Sequence, residues 1–499
     1  MLFRPAVLVA LALSLPLHAG AAPAHSGNAT KEAAALVASG SDKYQQGDLD
    51  GAIADYDKAI SLNPNSARAF YNRGLAHYDR GNLKDAISDY DQAIRLDPKY
   101  EDAYVNRALA RDDNDDHDGA IADENEAIKL DPNDAYAYNN RGWAFYRKGQ
   151  SDDAIADYDR AIAIDPKMAQ PYNDRGVAER QKGMLTEAIA DYGKAIQLDQ
   201  TNDQALYNRA LARDENGDVD GAIADTTAAI AINPKYSDAF NARAEFKLEH
   251  DNFDAAIADF GQAIQLDPKN SDALNERGLA YYHHGDNDSA LADYNQALSI
   301  DPKDADAYNN RGNLERNSGN LTAALSDYNA AIAADPKCDA AFNDRGRVKQ
   351  LNSDLAGAEA DYRQAFALNS RNAEAVSNLS SVSSDRFDFK AAIDYATEAI
   401  KIDDTLASAY NNRGVAKFHL GDIAGALADY DHAVQLDPND EHAYNNRGIA
   451  LQARGDVQDA LADFDLAVQI DPTFAQAQHN RGLAKIRTGD LFGAVRDLF

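Results

Sequence analysis

The sequence predicts an all-α solenoid of stacked antiparallel helix pairs, on three observations. Prolines stand at 64, 98, 132, 166, 234, 268, 302, 336, 438 and 472, all in one 34-residue register, with Gln200, Ser370 and Asp404 in three of the gaps. Ala52 recurs in that register fourteen times to Ala494, and Ala59 thirteen times to Ala467, without exception. Within each unit the apolar residues follow helical rather than strand spacing. A fixed period of this length marks a repeat architecture, in which each unit buries its apolar face only against its neighbours.

The unit from Ala67 to Tyr100 shows how each element arises. Ala69, Phe70, Gly74 and Ala76 lie at helical spacing, as do Leu83, Ala86, Ile87, Tyr90, Ala93 and Ile94, so each unit holds two helices. Gly81 and Asn82 mark the turn between them. The tripeptide Leu96-Asp97-Pro98 closes the second helix, because proline has no N–H to donate and disfavours a helical residue before it. Alanine at the two constant positions lets helices approach closely. An aromatic residue four places after the first of them, as at Tyr56, Tyr90, Tyr158 and Phe260, fills the space they leave. Helices of about a dozen residues are marginal alone in water, so stacking must stabilise them.

Gly74, Ala86, Tyr90, Ala93 and Pro98 at this spacing resemble the tetratricopeptide repeat. The resemblance implies a right-handed superhelical solenoid. It covers residues 33–499, with units starting at 33, 67, 101, 135, 169, 203, 237, 271, 305, 339, 373, 407, 441 and 475. The last unit stops inside its second helix, which leaves Leu498 and Phe499 as an apolar end to be covered. At the seventh place of the unit, where the family usually has leucine, this chain has arginine in twelve units. The unit 373–406 is degenerate. It lacks the glycine, tyrosine and proline of its siblings and sets Phe387 where the turn elsewhere has glycine, which predicts strain; it reads as a hinge or as a decayed repeat.

Forty-nine basic against eighty-two acidic residues give a formal charge of -33, which repels nucleic acid and anionic membranes and favours basic partners. At the start, Arg4, an apolar run from Ala6 to Leu17 and the small residues Ala19, Gly20 and Ala21 read as a signal peptide over 1–21, followed by a linker over 22–32. The run is short of the ~20 residues a spanning helix needs, and no later run is longer, so the expected protein does not span a membrane and is periplasmic or secreted. Cys338 is the only cysteine, which excludes an intrachain disulfide and a thiolate metal site.

The repeated hexapeptide AYNNRG at 137, 307, 409 and 443 carries the arginine. Its equivalents are Arg73, Arg107, Arg141, Arg175, Arg209, Arg243, Arg277, Arg311, Arg345, Arg413, Arg447 and Arg481. An aspartate holds one place in the second helix of thirteen units, from Asp55 to Asp497. In the unit 373–406 the two become Leu379 and Tyr395 together. Loss of one member of a buried pair costs roughly 3–5 kcal/mol, whereas replacing both can be nearly neutral, so joint loss points to an ion pair within the unit. Arg141 with Asp157, Arg277 with Asp293, and Arg311 with Asp327 are the expected examples. The competing reading is an anion-binding ladder.

One residue earlier stands an asparagine in nine units: Asn72, Asn106, Asn140, Asn208, Asn310, Asn378, Asn412, Asn446 and Asn480. It shares a helical stripe with positions that vary freely. This is similar to the asparagine ladder of the repeat superhelix in O-linked N-acetylglucosamine transferases, and the resemblance implies that these amides line an inner groove and hold the main chain of extended peptides. A carboxamide offers both donor and acceptor to a peptide bond. The alternative is that the amides bond to adjacent helices. Among the variable groove positions the acids Asp102, Asp112, Asp113, Asp214, Glu215, Asp238, Glu245 and Glu249 outnumber the bases Arg68, Arg147, Arg180, Arg316 and Arg347, which favours basic segments.

Other chemistry is thinly represented. The acidic turns from Asp112 and Asp214 have a misplaced glycine and no closing glutamate for a calcium loop. His283 and His284 diverge on a helix, and nothing resembles a nucleophile triad, a phosphate loop or a dinucleotide turn. The sequence therefore predicts no catalytic residues, metal or cofactor. It predicts a non-enzymatic interaction scaffold that binds extended, basic polypeptide segments and organises an envelope or periplasmic complex. The alternative function is a carbohydrate-polymer export or binding factor. Oligomeric state and partner identity are not legible.

Overall fold

The computed structural model describes residues 27–498, with side chains described from 29 to 497. The leader expected over 1–21, and Phe499, lie outside the described residues. The described chain is helical, with twenty-eight helices in alternation. It forms two compact units that divide after Asn233. Each is a solenoid of antiparallel helix pairs in which a leading helix, such as Ala67–Asp79, is followed by a second, such as Leu83–Leu96. The first helix, Gly27–Gln45, reaches back into the segment read as a linker. No described helix is long and apolar enough to cross a membrane.

The constant alanines are the contact surface: Ala52, Ala59, Ala86, Ala93, Ala256 and Ala263 have no exposed surface. Beside them the aromatic ring of the second helix lies flat on the glycine of the first. A Cβ on Gly74 would stand 2.7 Å from Cε1 of Tyr90, and one on Gly312 2.7 Å from Cε1 of Tyr328. Where the glycine is replaced, the ring mostly goes too, as in Ala108 with Glu124, Ala210 with Thr226 and Ser380 with Ala396; Ala244 with Phe260 is the exception.

Helix ends repeat as closely as the core. The turn inside each unit is left-handed, at φ 83° for Gly81 and 81° for Gly319, and in most units Asp or Asn then begins the second helix, as Asp48 does by accepting through Oδ1 from the N–H of Gly51 at 2.9 Å. At the far end the residue before the proline is decisive. Asp97 Oδ1 accepts from the N–H of Lys99 at 3.0 Å, and the same turn persists without proline at Asp199 to Thr201 (2.9 Å), Asn369 to Arg371 (3.0 Å) and Asp403 to Thr405 (2.8 Å). This side-chain turn explains why proline can be absent in those units.

The unit 373–406 packs closely rather than loosely. Ser377, Ser380, Leu379 and Val382 are buried, and Ser377 Oγ lies 3.2 Å from Ser408 Oγ of the next leading helix. Strain is confined to Phe387, held at φ 63° and 81 % exposed.

Candidate ligand-binding face

Leading helices line one face of each unit, and two sets of side chains build it. The arginines lie beneath it. Arg141 donates from Nε and Nη2 to the two oxygens of Asp157 at 2.7 and 2.6 Å, Arg277 to Asp293 at 2.7 and 2.8 Å, and Arg311 to Asp327 at 2.8 and 2.6 Å. The other nine arginines make the same fork with the aspartate sixteen residues on. Their side chains are only 13 % (Arg107) to 22 % (Arg73) exposed, so they do not stand open as an anion ladder. The bond to Asp157 holds the Arg141 guanidinium above its ordinary value.

The fork has a third tine. Nη1 of Arg141 donates to Asn125 Oδ1 at 2.6 Å, that of Arg311 to Asn295 at 2.6 Å, and that of Arg447 to Asp431 at 2.8 Å, each acceptor on the second helix of the preceding unit. The arginine therefore ties three helices together, which the planar guanidinium allows and an ammonium does not. Three positions change together in the degenerate seam: Leu379 and Tyr395 replace the pair, and the upstream acceptor becomes Arg363, whose Nη2 lies 3.4 Å from Tyr395 Oη. In the first unit Ser39 and Lys43 take over, donating to Asp55 at 2.7 and 2.6 Å and holding that carboxyl below the usual carboxylate range.

The predicted asparagines form a lateral ladder. Nδ2 of Asn208 donates to Asn173 Oδ1 at 3.0 Å, Asn310 to Asn275 at 3.0 Å, Asn378 to Asn343 at 2.9 Å, Asn446 to Asn411 at 3.0 Å and Asn480 to Asn445 at 2.8 Å. Asn72 reaches Ser41 Oγ at 3.2 Å, Asn106 the Tyr71 hydroxyl at 3.1 Å, and Asn412 both the backbone oxygen and Oγ of Ser377 at 3.1 Å; Asn140 is engaged as well. In eight of the nine an N–H thus joins neighbouring leading helices, the arrangement the sequence had left as the alternative. The acceptors, chiefly the asparagine immediately before, were missed. The doubled Asn-Asn of the hexapeptide marked only Asn411 and Asn445; Asn173, Asn275 and Asn343 precede an acid.

A second rung runs beside the first. Arg180 donates from Nε and Nη2 to Glu215 Oε1 at 2.9 and 2.6 Å, Tyr78 Oη to Asp113 at 2.5 Å and Gln350 Nε2 to Asp385 at 2.7 Å. Between the rungs, Tyr146, Val177, Arg180, Gln181, Asn208 and Glu215 line a cavity of about 200 Å³. Acids crowd the leading-helix starts. Burial, then a hydrogen bond with Asp134, pushes Glu101 up to about 8; burial, then Asp306, raises Glu276; burial raises Asp304. Among the described residues no group of three or more side chains is placed to hold a metal.

Models of the tetratricopeptide repeat match residues 37–101, 135–168, 241–305, 284–339, 309–365, 407–440 and 442–474, and a further repeat model of the same kind matches 113–149 and 176–217. The chain belongs to the tetratricopeptide repeat family. Among solved structures, this tetratricopeptide repeat chain is similar to the Cut9–Hcn1 hetero-tetramer of the APC/C, at 14% identity over 91% of this chain and 97% of that one, with a TM-score of 0.52. That likeness is one of fold. MamA matches 32% of this chain and 94% of its own at 31% identity and a TM-score of 0.31. A tetratricopeptide repeat protein from Parabacteroides merdae ATCC 43184 matches 50% of this chain and 98% of its own at 21% identity and a TM-score of 0.43. No curated protein sequence matches the chain.

Proposed function

We propose that this repeat protein is a non-enzymatic scaffold that binds extended, basic polypeptide segments along its leading-helix face and organises a complex of the cell envelope or periplasm. The observation that carries the basic preference is the crowding of carboxyl groups on that face. Burial and then a hydrogen bond with Asp134 push Glu101 up to about 8, and burial and then Asp306 raise Glu276, so like charge adds to burial at both places. A lysine or arginine side chain laid across them relieves that repulsion. The amide ladder supports the polypeptide part of the reading. The lateral bond orients the carboxamides, a group type with two donors and an acceptor to offer; at Asn106 the second donor goes to the backbone oxygen of Asp102 at 2.8 Å. Family membership supports protein binding in general.

Fluorescence polarisation with labelled lysine-rich and glutamate-rich twelve-residue peptides tests the reading. Binding of the basic peptide, weakening steeply as salt rises, is expected. Equal binding of both, or salt-independent binding, refutes the charge preference.

A further inference from the structure

The cavity on the leading-helix face has a chemistry distinct from the acidic helix starts. We propose that Tyr146, Val177, Arg180, Gln181, Asn208 and Glu215 form a side-chain subsite for one uncharged aromatic residue, a tyrosine, of an extended peptide. The inference rests on the reading that this face binds polypeptide, and adds a specificity to it.

Charge decides against ionic guests. Arg180 and Glu215 are already joined by two hydrogen bonds of 2.9 and 2.6 Å across the cavity, so its lining is charge-balanced. A lysine, arginine or glutamate guest has to break that pair or enter unpaired, and either is costly away from water. Shape decides for a ring. The Tyr146 ring and Val177 supply apolar wall, and Tyr146 is braced by buried Trp143 with ring centroids 5.4 Å apart. Burial raises the Tyr146 phenol, which keeps that wall neutral. Polarity decides for a hydroxyl at the tip. Asn208 is buried and its amide is fixed by Asn173 at 3.0 Å, and Gln181 stands in the same lining. A purely aliphatic guest covers these amides without meeting them. A ring with one hydroxyl offers an apolar body and a polar tip.

The equivalent place four units on pairs its side chains differently, with Asp344 and Leu351 at the places of Asn208 and Glu215. There Tyr282, Asn313, Arg316 and Asn317 occupy the matching positions, Asn317 Nδ2 bonds the Tyr282 hydroxyl across the opening, and Arg316 turns to Asp344 at 3.1 Å.

Trp143 is the only tryptophan, so its fluorescence reports on the subsite directly. The full chain is titrated with acetylated, amidated Lys-Ala-X-Ala-Lys peptides in which X is tyrosine, alanine or glutamate. The tyrosine peptide is expected to bind about tenfold tighter than the alanine peptide, and the glutamate peptide no tighter than alanine. Tyr146→Ala and, separately, Val177→Glu, each checked for retained helicity by circular dichroism, are expected to bring the tyrosine-to-alanine ratio to about one. Equal affinity of all three peptides, or a ratio untouched in both variants, overturns the subsite while leaving the peptide-binding face standing. Failure of every peptide to bind overturns both. A tryptophan response to a neutral hexasaccharide, with the peptides inert, overturns the proposal in favour of a glycan site.

Discussion

Nε and Nη2 of Arg277 meet the two carboxylate oxygens of Asp293 at 2.7 and 2.8 Å, and a Cβ at Gly261, the upstream acceptor position, would be 3.8 Å from Nη1. Here the fork joins only the helices of its own unit. Arg277→Ala is expected to cost about 3–5 kcal/mol locally, because it strands Asp293 in a buried place. Arg277→Leu with Asp293→Tyr, the combination found at Leu379 and Tyr395, is expected to cost much less. The expected loss is local to one unit, so amide hydrogen exchange over residues 271–304 is the readout. Equal losses in the two variants reject the pair as the reason for the arginine.

Glu179 occupies a place where Lys247, Lys349 and Lys417 each pair with the aspartate of their unit, at 2.5, 2.7 and 2.7 Å. Instead, burial and then the neighbouring Asp191 push Glu179 up to about 7. Its Oε2 is buried without a hydrogen-bond partner, and Arg175 Nε is 3.9 Å from Oε1. A carboxyl raised above its unfolded value binds its proton more tightly when folded, so the array loses stability as pH climbs from about 4.5 through about 7. Glu179→Lys is expected to stabilise by about 1–2 kcal/mol at pH 8 and by little at pH 4. Thermal unfolding of both proteins across that range checks it, and a pH-independent difference contradicts it.

The amide ladder has two registers. Asn446 donates to Asn411, but Asp174 stands in place of such an asparagine and there Asn139 Nδ2 donates to Asp174 Oδ2 at 3.2 Å, in the reverse direction. Asn446→Asp is therefore expected to be nearly neutral, since the Asn411 amide can flip and donate. Asn446→Ala leaves the Asn411 oxygen unmet and is expected to cost about 1–3 kcal/mol. Urea unfolding of the two variants separates these outcomes. If both are neutral, the lateral bond contributes nothing.

Gly312 and Tyr328 test the ring-on-glycine contact. Gly312→Ala brings a Cβ to 2.7 Å from the ring and is expected to destabilise by about 1–3 kcal/mol. Tyr328→Thr in the same chain, copying Ala210 with Thr226, is expected to recover part of that loss. A purely additive double variant, measured by thermal unfolding, removes the contact as the cause.

Phe387 holds φ 63° where ten glycines sit at comparable positive angles. Phe387→Gly is expected to stabilise the chain by about 1 kcal/mol by relieving that strain. Amide exchange over 373–406 is expected to be as slow as in both flanks, because Ser377, Ser380 and Ser383 are buried there; faster exchange than in both flanks supports the hinge reading instead.

The helices, their pairing and the glycine–aromatic register were readable because each follows from a strictly periodic constraint acting within one unit. The Arg–Asp pair was readable because its exception removed both charges at once. The lateral amide bonds were not. Asn173, Asn275 and Asn343 carry no mark distinguishing an acceptor for the next helix from a solvent-facing amide, and the third tine of the arginine depends on which residue of the preceding unit lies beneath it.

Composition, period and local preference thus determined that this chain forms helix hairpins that stack, since those depend on spacing along the chain alone. Tertiary structure decided what each polar group touches, because residues thirty-five apart become neighbours only after stacking. The cavity beside Tyr146 belongs to that second class. It exists because three successive helices set their variable side chains apart, a geometry no single unit contains.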